Sequence, residues 1–250
     1  YSLYNVGEST VADLFVSFNE DVDIGYYFTS GGWCEIHLSK YIEGKNNNSI
    51  GNDNNTIVNN DTAEKEHVKK LTAAAEKVEK ILKDADIFFT EDKDISQLVL
   101  DTLKEKGLTL SFAESITGGN LSGEFVKNSG ASKVFLGGVV SYSNETKKNI
   151  LGVSQKTLDK YGAVSDEVVR EMAFGLKKLM DADISVSVSG IAGPEGGTKD
   201  KPVGLIYFGF LFENDFYSTK EIFTGVRTRV MTRAVNMVFV EVLKRLKYEC

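Results

Sequence analysis

Apolar positions recur at helical and strand spacing along most of the chain, with one long interruption. Val68, Leu71, Ala75, Val78 and Leu82 fall on one stripe and predict a helix over Thr62–Asp84. Ahead of it, Asp23–Thr29 and Trp33–Ser39 read as strands joined at Ser30-Gly31-Gly32, a hairpin signal. Ser9 or Thr10 can cap a short helix through Val11, Leu14, Phe15 and Phe18, and Ile87–Thr90 reads as a closing strand. The interruption, residues 45–61, is rich in Asn and has little to bury, so it predicts a mobile loop.

From Asp94 helix and strand periods alternate. The spacing predicts helices over 95–106, 117–128, 143–150, 154–161, 165–180 and 227–247. Strands are predicted over 108–113, 134–142, 183–189, 203–212 and 215–223. Ser165-Asp166-Glu167 is a strong helix start, a hydroxyl cap followed by acids. A β-α-β-α-β order, then an antiparallel pair turning at Asn214-Asp215, predicts a three-layer α/β/α fold with a mixed sheet. Two domains follow: a small α+β unit over 1–92, KH-like in its strand-helix pattern, and a larger one over 93–250.

Composition narrows the function. The chain has 250 residues, 42% of them hydrophobic, and only two prolines, which suits a globular protein. No stretch approaches the ~20 apolar residues that span a bilayer. A net charge of −7 argues against non-specific nucleic-acid binding, while a local cluster of cations can still hold a small anion. Cys34 and Cys250 give neither a disulfide framework nor metal-ligand spacing, which fits a reducing, cytoplasmic setting. No signal peptide is evident, and a start at Tyr1 rather than Met points to a fragment or processed form.

Elimination then restricts the chemistry. Both histidines, His37 and His67, lie before residue 93, and neither cysteine is near a motif of the second domain. That domain cannot by itself hold a Ser-His-Asp triad, a Cys-His pair or a His-based metal site. It also lacks a Walker loop and a G-x-G-x-x-G fingerprint. A nucleophile there should be Ser or Thr, and its base Lys, Tyr or a carboxylate.

Three segments can carry such chemistry. Ala113-Glu114-Ser115-Ile116-Thr117-Gly118-Gly119 joins a strand to a helix, a junction whose free amides favour an oxyanion or phosphate. Its plain alternative is that Ser115 or Thr117 only caps the helix. Gly137–Lys147 ends a buried-looking strand near Tyr142 and starts a helix at Ser143 or Asn144. Lys147 could reach back over the strand end as a desolvated, neutral base, or could join Lys148 on a solvated face. Ser187–Gly204 runs a strand into a loop with four glycines between 190 and 197, suited to closing over a ligand or to a flexible surface excursion. Arg227 opens the last helix, where it can meet a phosphate or belong to a basic face with Arg229 and Arg233.

Together these strings resemble the C-terminal nicotinamide-nucleotide amidase domain of the CinA (competence/damage-inducible) family. The matching pieces are Ala113–Gly119, Gly138–Lys147, Leu151-Gly152-Val153, Gly162-Ala163-Val164-Ser165, Ser189–Gly193 with Gly196-Gly197, and Lys201–Gly204. The first ninety residues are similar, more weakly, to the small middle domain of longer members, through Val6-Gly7-Glu8-Ser9, Ile24-Gly25-Tyr26 and Phe88–Glu91. The resemblance implies hydrolysis of nicotinamide mononucleotide to nicotinic acid mononucleotide and ammonia, a pyridine-nucleotide salvage step with no metal or cofactor. It implies Ser115 as nucleophile, Lys147 as base and Tyr142 in their proton network. Thr117, Gly118, Gly119, Ser189, Gly190, Gly193 and Arg227 take substrate-binding places, and the expected assembly is a homodimer. Ile116 stands where many members have Cys, and Gly225-Val226-Arg227 lacks the acid of the family's G-D-R. The family's N-terminal nucleotide-binding domain is not in this sequence, so its pyrophosphatase activity is not assigned. Two rivals are a regulatory module that binds a pyridine nucleotide without hydrolysing it, and a nucleic-acid role for residues 1–92, which show neither a G-x-x-G loop nor a basic face.

Overall fold

The computed structural model describes Ser2–Tyr4, Asp23–Phe28, Trp33–Ser39, Asn60–Asp84, Phe89–Thr90 and Asp94–Tyr248. The expected helix near 9–18, the turn at 30–32 and residues 45–59 of the Asn-rich segment lie outside the described residues. The chain divides into two compact units with the main boundary between residues 92 and 93.

In the first unit β1 (Ser2–Tyr4), β2 (Asp23–Phe28), β3 (Trp33–Ser39) and β4 (Phe89–Thr90) form an antiparallel sheet in the order β2-β3-β1-β4. Helix α1 (Asn60–Asp84) precedes β4. Its buried stripe is Ala74, Val78 and Leu82 at i, i+4, i+8. Val68, expected on that stripe, is exposed, and Leu71 and Ala75 are only partly covered. The expected stripe thus meets the buried one at Val78 and Leu82, and diverges from it toward the start of the helix.

The second unit is a three-layer α/β/α fold. Its sheet has the order β6-β5-β7-β8-β9, built from β5 (Leu110–Glu114), β6 (Phe135–Val140), β7 (Ile184–Gly190), β8 (Leu205–Phe212) and β9 (Asp215–Ile222). Strands β6, β5 and β7 are parallel, whereas β8 and β9 are antiparallel to their neighbours. Central β5 and β7 are covered on both faces and read as continuous apolar-and-serine runs. Strand β6 is an edge, so its residues alternate between half-buried and exposed instead of being buried throughout as its sequence suggests.

Helices cover both faces. Helix α6 (Asp166–Met180) lies across the strands on one side, with α4 (Asn144–Leu151) and α5 (Gln155–Tyr161) packed against it. Ala113, Leu151, Val153, Leu158, Val168, Met172 and Leu176 form the core there. On the other side α2 (Ile95–Lys106), α3 (Asn120–Val126) and α7 (Arg227–Tyr248) pack together. Phe112 stands edge-on to Phe125 at 5.9 Å, and Phe125 stacks on Phe239 at 6.0 Å. Serine side chains cap α4, α5 and α6: Ser143, Ser154 and Ser165 accept from Thr146, Thr157 and Val168 amides. Among the described residues no helix is long and apolar enough to cross a membrane.

One contact fixes how α6 sits on the end of α4. A Cβ built on Gly175 would lie 1.8 Å from the Leu151 carbonyl oxygen. Alanine has the better helix propensity by about 1 kcal/mol, but a backbone clash of this depth outweighs that gain. Gly175→Ala should therefore lower stability by about 2 kcal/mol or more, read as a shifted denaturant midpoint. An unchanged midpoint would contradict this packing.

Candidate active site

The sheet order places a crevice at one spot. From β5 the chain moves to β6 on one side and then crosses to β7 on the other. Ligands of open α/β sheets settle at the carboxyl ends of strands where the order reverses. At that point a cavity of about 260 Å³ is lined by Ser115, Ile116, Tyr142, Lys147, Ala163, Val164, Ser189, Gly190, Ile191, Ala192, Gly193, Glu195, Gly196 and Arg227.

Lys147 and Ser115 meet at its floor. Ser115 directly follows β5 and its amide donates to the Val188 carbonyl, continuing the β5–β7 ladder one step past the strand. Lys147 sits on α4, just after β6, with only 1% of its surface exposed. Its Nζ lies 2.9 Å from Ser115 Oγ, 2.7 Å from the Ser141 carbonyl oxygen and 3.4 Å from that of Tyr142. Among the described residues no acid is paired with this amine. Burial without a counter-charge pushes its pKa from 10.5 down to about 8. Lys148, next in sequence, is instead half-buried and pairs with Glu145.

Arg227 closes the mouth. Its guanidinium donates to the Gly193 carbonyl at 3.1 Å and to the Tyr142 hydroxyl at 3.0 Å. Tyr142 is 62% exposed, and its link to Lys147 runs through its carbonyl, not its hydroxyl. The phenol thus belongs to the rim of the cavity, away from the Ser115–Lys147 pair to whose proton network the resemblance assigned it. Ser189 is buried, and its hydroxyl donates to the Ala163 carbonyl at 2.7 Å. That bond fixes the wall formed by Ala163 and Val164.

The junction after Ser115 departs from expectation. The helix starts at Asn120, not 117, because Gly118 and Gly119 have φ of +61° and +98° and hold residues 116–119 in a turn. Neither Ser115 nor Thr117 caps it. Instead the buried Glu114 carboxylate, at the end of β5, accepts from the amides of Gly119, Leu121 and Ser122 and from the Ser122 hydroxyl. Those amides are consequently not open to a ligand. Thr117, Gly118 and Gly119, expected to contact substrate, do not line the cavity, although the Thr117 hydroxyl is buried with no hydrogen-bond partner among the described residues.

Sequence reasoning assigned no role to Glu114 or Lys201. Glu114 carries a legible signal, an acid closing an apolar strand a few residues before a helix start. Lys201 donates to the Tyr161 and Val164 carbonyls and so ties the glycine-rich loop to the Ala163–Val164 wall. Nothing local in its sequence points there. Among the described residues no group of three or more His, Cys, Asp or Glu could hold a metal ion.

Comparison with known proteins agrees with this fold. The family model described as the CinA C-terminal domain matches residues 92–246. The chain belongs to the CinA family. It is 49% identical over 166 residues to a CinA-like protein of Petrotoga mobilis, covering 66% of this chain and 41% of that protein. It is 47% identical over 183 residues to one of Thermotoga maritima, covering 72% and 45% respectively. The chain therefore spans less than half the length of these CinA relatives. The crystal structure of competence damage-inducible protein A of Klebsiella pneumoniae superposes with a TM-score of 0.60 at 34% identity, covering 62% of this chain and 96% of that one. The crystal structure of competence/damage inducible protein CihA of Agrobacterium tumefaciens gives 0.58 at 33% identity, covering 64% and 99%. Both coverages match the α/β/α unit in extent.

Proposed function

We propose that residues 93–250 form an amidase that hydrolyses the carboxamide of nicotinamide mononucleotide to nicotinic acid mononucleotide and ammonia, through an acyl-enzyme on Ser115. The observation that carries this reading is the buried Lys147 amine, 2.9 Å from Ser115 Oγ and with its pKa lowered to about 8. Protonated, it has three N–H groups and three acceptors. Once neutral it keeps two N–H groups for the Ser141 and Tyr142 carbonyls, which leaves its lone pair facing the Ser115 hydroxyl.

The steps follow from that arrangement. Ser115 Oγ attacks the carboxamide carbon while its proton passes to Lys147. The resulting oxyanion needs a donor, and the amide of Ile116, which lines the cavity beside Ser115, donates to nothing else among the described residues. The C–N bond then breaks as Lys147 returns the proton to the departing nitrogen, which leaves as ammonia. Water attacks the ester, passing a proton through Lys147 to Ser115 Oγ, and the carboxylate product is freed. Arg227 spends only part of its five-donor fork on neutral acceptors, so it can turn to a phosphate at the mouth.

Purified chain should release ammonia and nicotinic acid mononucleotide in equal amounts from nicotinamide mononucleotide, undiminished by EDTA. Because only the neutral amine accepts the serine proton, kcat/KM should rise with pH and level off above about 8. A folded chain that binds the nucleotide without releasing ammonia would instead be the regulatory binding module. A rate unchanged between pH 6 and pH 9 would remove Lys147 as the base.

A further inference from the structure

Among the described residues, every backbone amide from Ser115 to Gly123 has an acceptor except two. Ser115 donates to Val188, Gly118 to Ser115, Asn120 to Thr117 and Gly123 to Gly119. Gly119, Leu121 and Ser122 donate to Glu114. Ile116 and Thr117 are left over, and both follow the proposed nucleophile directly. Buried amides are almost always paired, so two consecutive unpaired ones are an arrangement that something must maintain.

The part that maintains it is a single side chain. Glu114 is fully buried, and its two oxygens accept four hydrogen bonds of 2.6 to 3.0 Å from residues 119–122. Its own backbone is clamped as well, because its carbonyl accepts from the Ser141 amide at 2.7 Å. One residue is thereby fixed to β6 by its main chain and to the start of α3 by its side chain. The five-residue turn between, carrying Ser115, is held at both ends. The approach of α3 to the sheet also requires Gly138, since a Cβ there would lie 2.3 Å from Ser122 Oγ.

We infer that Glu114 is a positioning residue for the amide-hydrolysing step. It holds the Ser115 turn in the shape that keeps the Ile116 and Thr117 amides unpaired, with Ile116 in the cavity lining beside the reacting carbonyl, and it does not touch substrate itself. This rests on the serine-nucleophile reading above. The amide of a glutamine would bring an N–H₂ against donors that now meet an oxygen. Glu114→Gln should therefore displace the turn while nearly preserving side-chain volume. A displacement of about 1 Å at a reacting group lowers the rate on the order of 100-fold.

The test uses the whole chain and two readouts, one independent of the nucleotide. A fluorophosphonate should label wild-type Ser115, and Glu114→Gln should lower the rate constant of labelling about 100-fold while leaving its final extent unchanged. Damage that is only structural would reduce the extent, by the fraction of molecules unfolded, and not the rate constant. With nicotinamide mononucleotide, kcat should fall in parallel while KM and the pH at which the rate levels off stay put. Ser122→Ala, which removes one of the four bonds and keeps the carboxylate, should show a smaller fall of the same kind and covers the case in which Glu114→Gln does not fold.

Labelling at the wild-type rate in both variants would overturn the inference. So would a loss confined to KM, which would make Glu114 a substrate contact. Wild-type labelling without nucleotide turnover would sink the proposed substrate and leave Glu114 tested by the labelling rates. Failure of the reagent to label wild-type Ser115 would remove the nucleophile and the role of Glu114 with it.

Discussion

Replacing Ser115 by Ala should reduce kcat for nicotinamide mononucleotide by about 10⁵-fold or more, because the covalent route is lost and not merely slowed. Binding should be nearly untouched. The hydroxyl is one atom in a cavity whose walls come from the Ala163–Val164 segment, the Gly190–Gly196 loop and Arg227. Equilibrium titration of Ser115→Ala with the nucleotide should therefore give a Kd within about threefold of the wild-type value, a difference of less than 1 kcal/mol. A variant that keeps its turnover would mean that water, not Ser115, attacks the amide. A variant that no longer binds would mean the hydroxyl holds substrate and leaves the chemistry to another group.

Lys147→Met should be equally inactive, yet no less stable than the wild type at neutral pH. In the folded chain the amine titrates near 8, against 10.5 when exposed. Below pH 8 the folded state must hold an ammonium that the unfolded state solvates better, and the penalty is roughly 3 kcal/mol. It shrinks as pH rises from 8 toward 10.5 and vanishes above that, where both states are neutral. Methionine removes the charge and keeps most of the volume. It also strands the Ser141 carbonyl, which returns about 1–2 kcal/mol of the gain. The midpoint of Lys147→Met at pH 7 should accordingly equal or exceed that of the wild type, with the advantage fading by pH 10. A variant markedly less stable at pH 7 would show that the amine holds the fold together, and that its burial is structural in origin.

The order of helices and strands in the second unit was legible because its core is regular. Helix α6 buries Val168, Val169, Met172, Ala173 and Leu176 at helical spacing, and Ser165 with Asp166 and Glu167 announces its start. The approach of Lys147 to Ser115 was also open to reading, since each follows the carboxyl end of a strand and a β-α-β crossover sets such strands parallel. What stayed hidden depends on turns and on distant partners. The shortened α3 comes from left-handed backbone at Gly118 and Gly119, which folds the helix start over Glu114 and converts an acid in a strand into a cap. Tyr142 and Arg227 lie 85 residues apart and meet only because the last helix begins beside the cavity mouth. Lys201 reaches Val164 across 37 residues, by a loop path no periodicity records. In α1 the period was clear, but which flank of the stripe is covered depends on the packing of its neighbours.

The central claim is a covalent intermediate, and acid quenching tests it most directly. Chain mixed with excess nicotinamide mononucleotide, stopped within one turnover and digested, should yield the Ser115 peptide carrying the nicotinoyl ribotide as an ester. The adduct should be absent from Ser115→Ala and from Lys147→Met. Steady ammonia release with Ser115 unmodified at every quench time, and sustained by Ser115→Ala, would contradict the account.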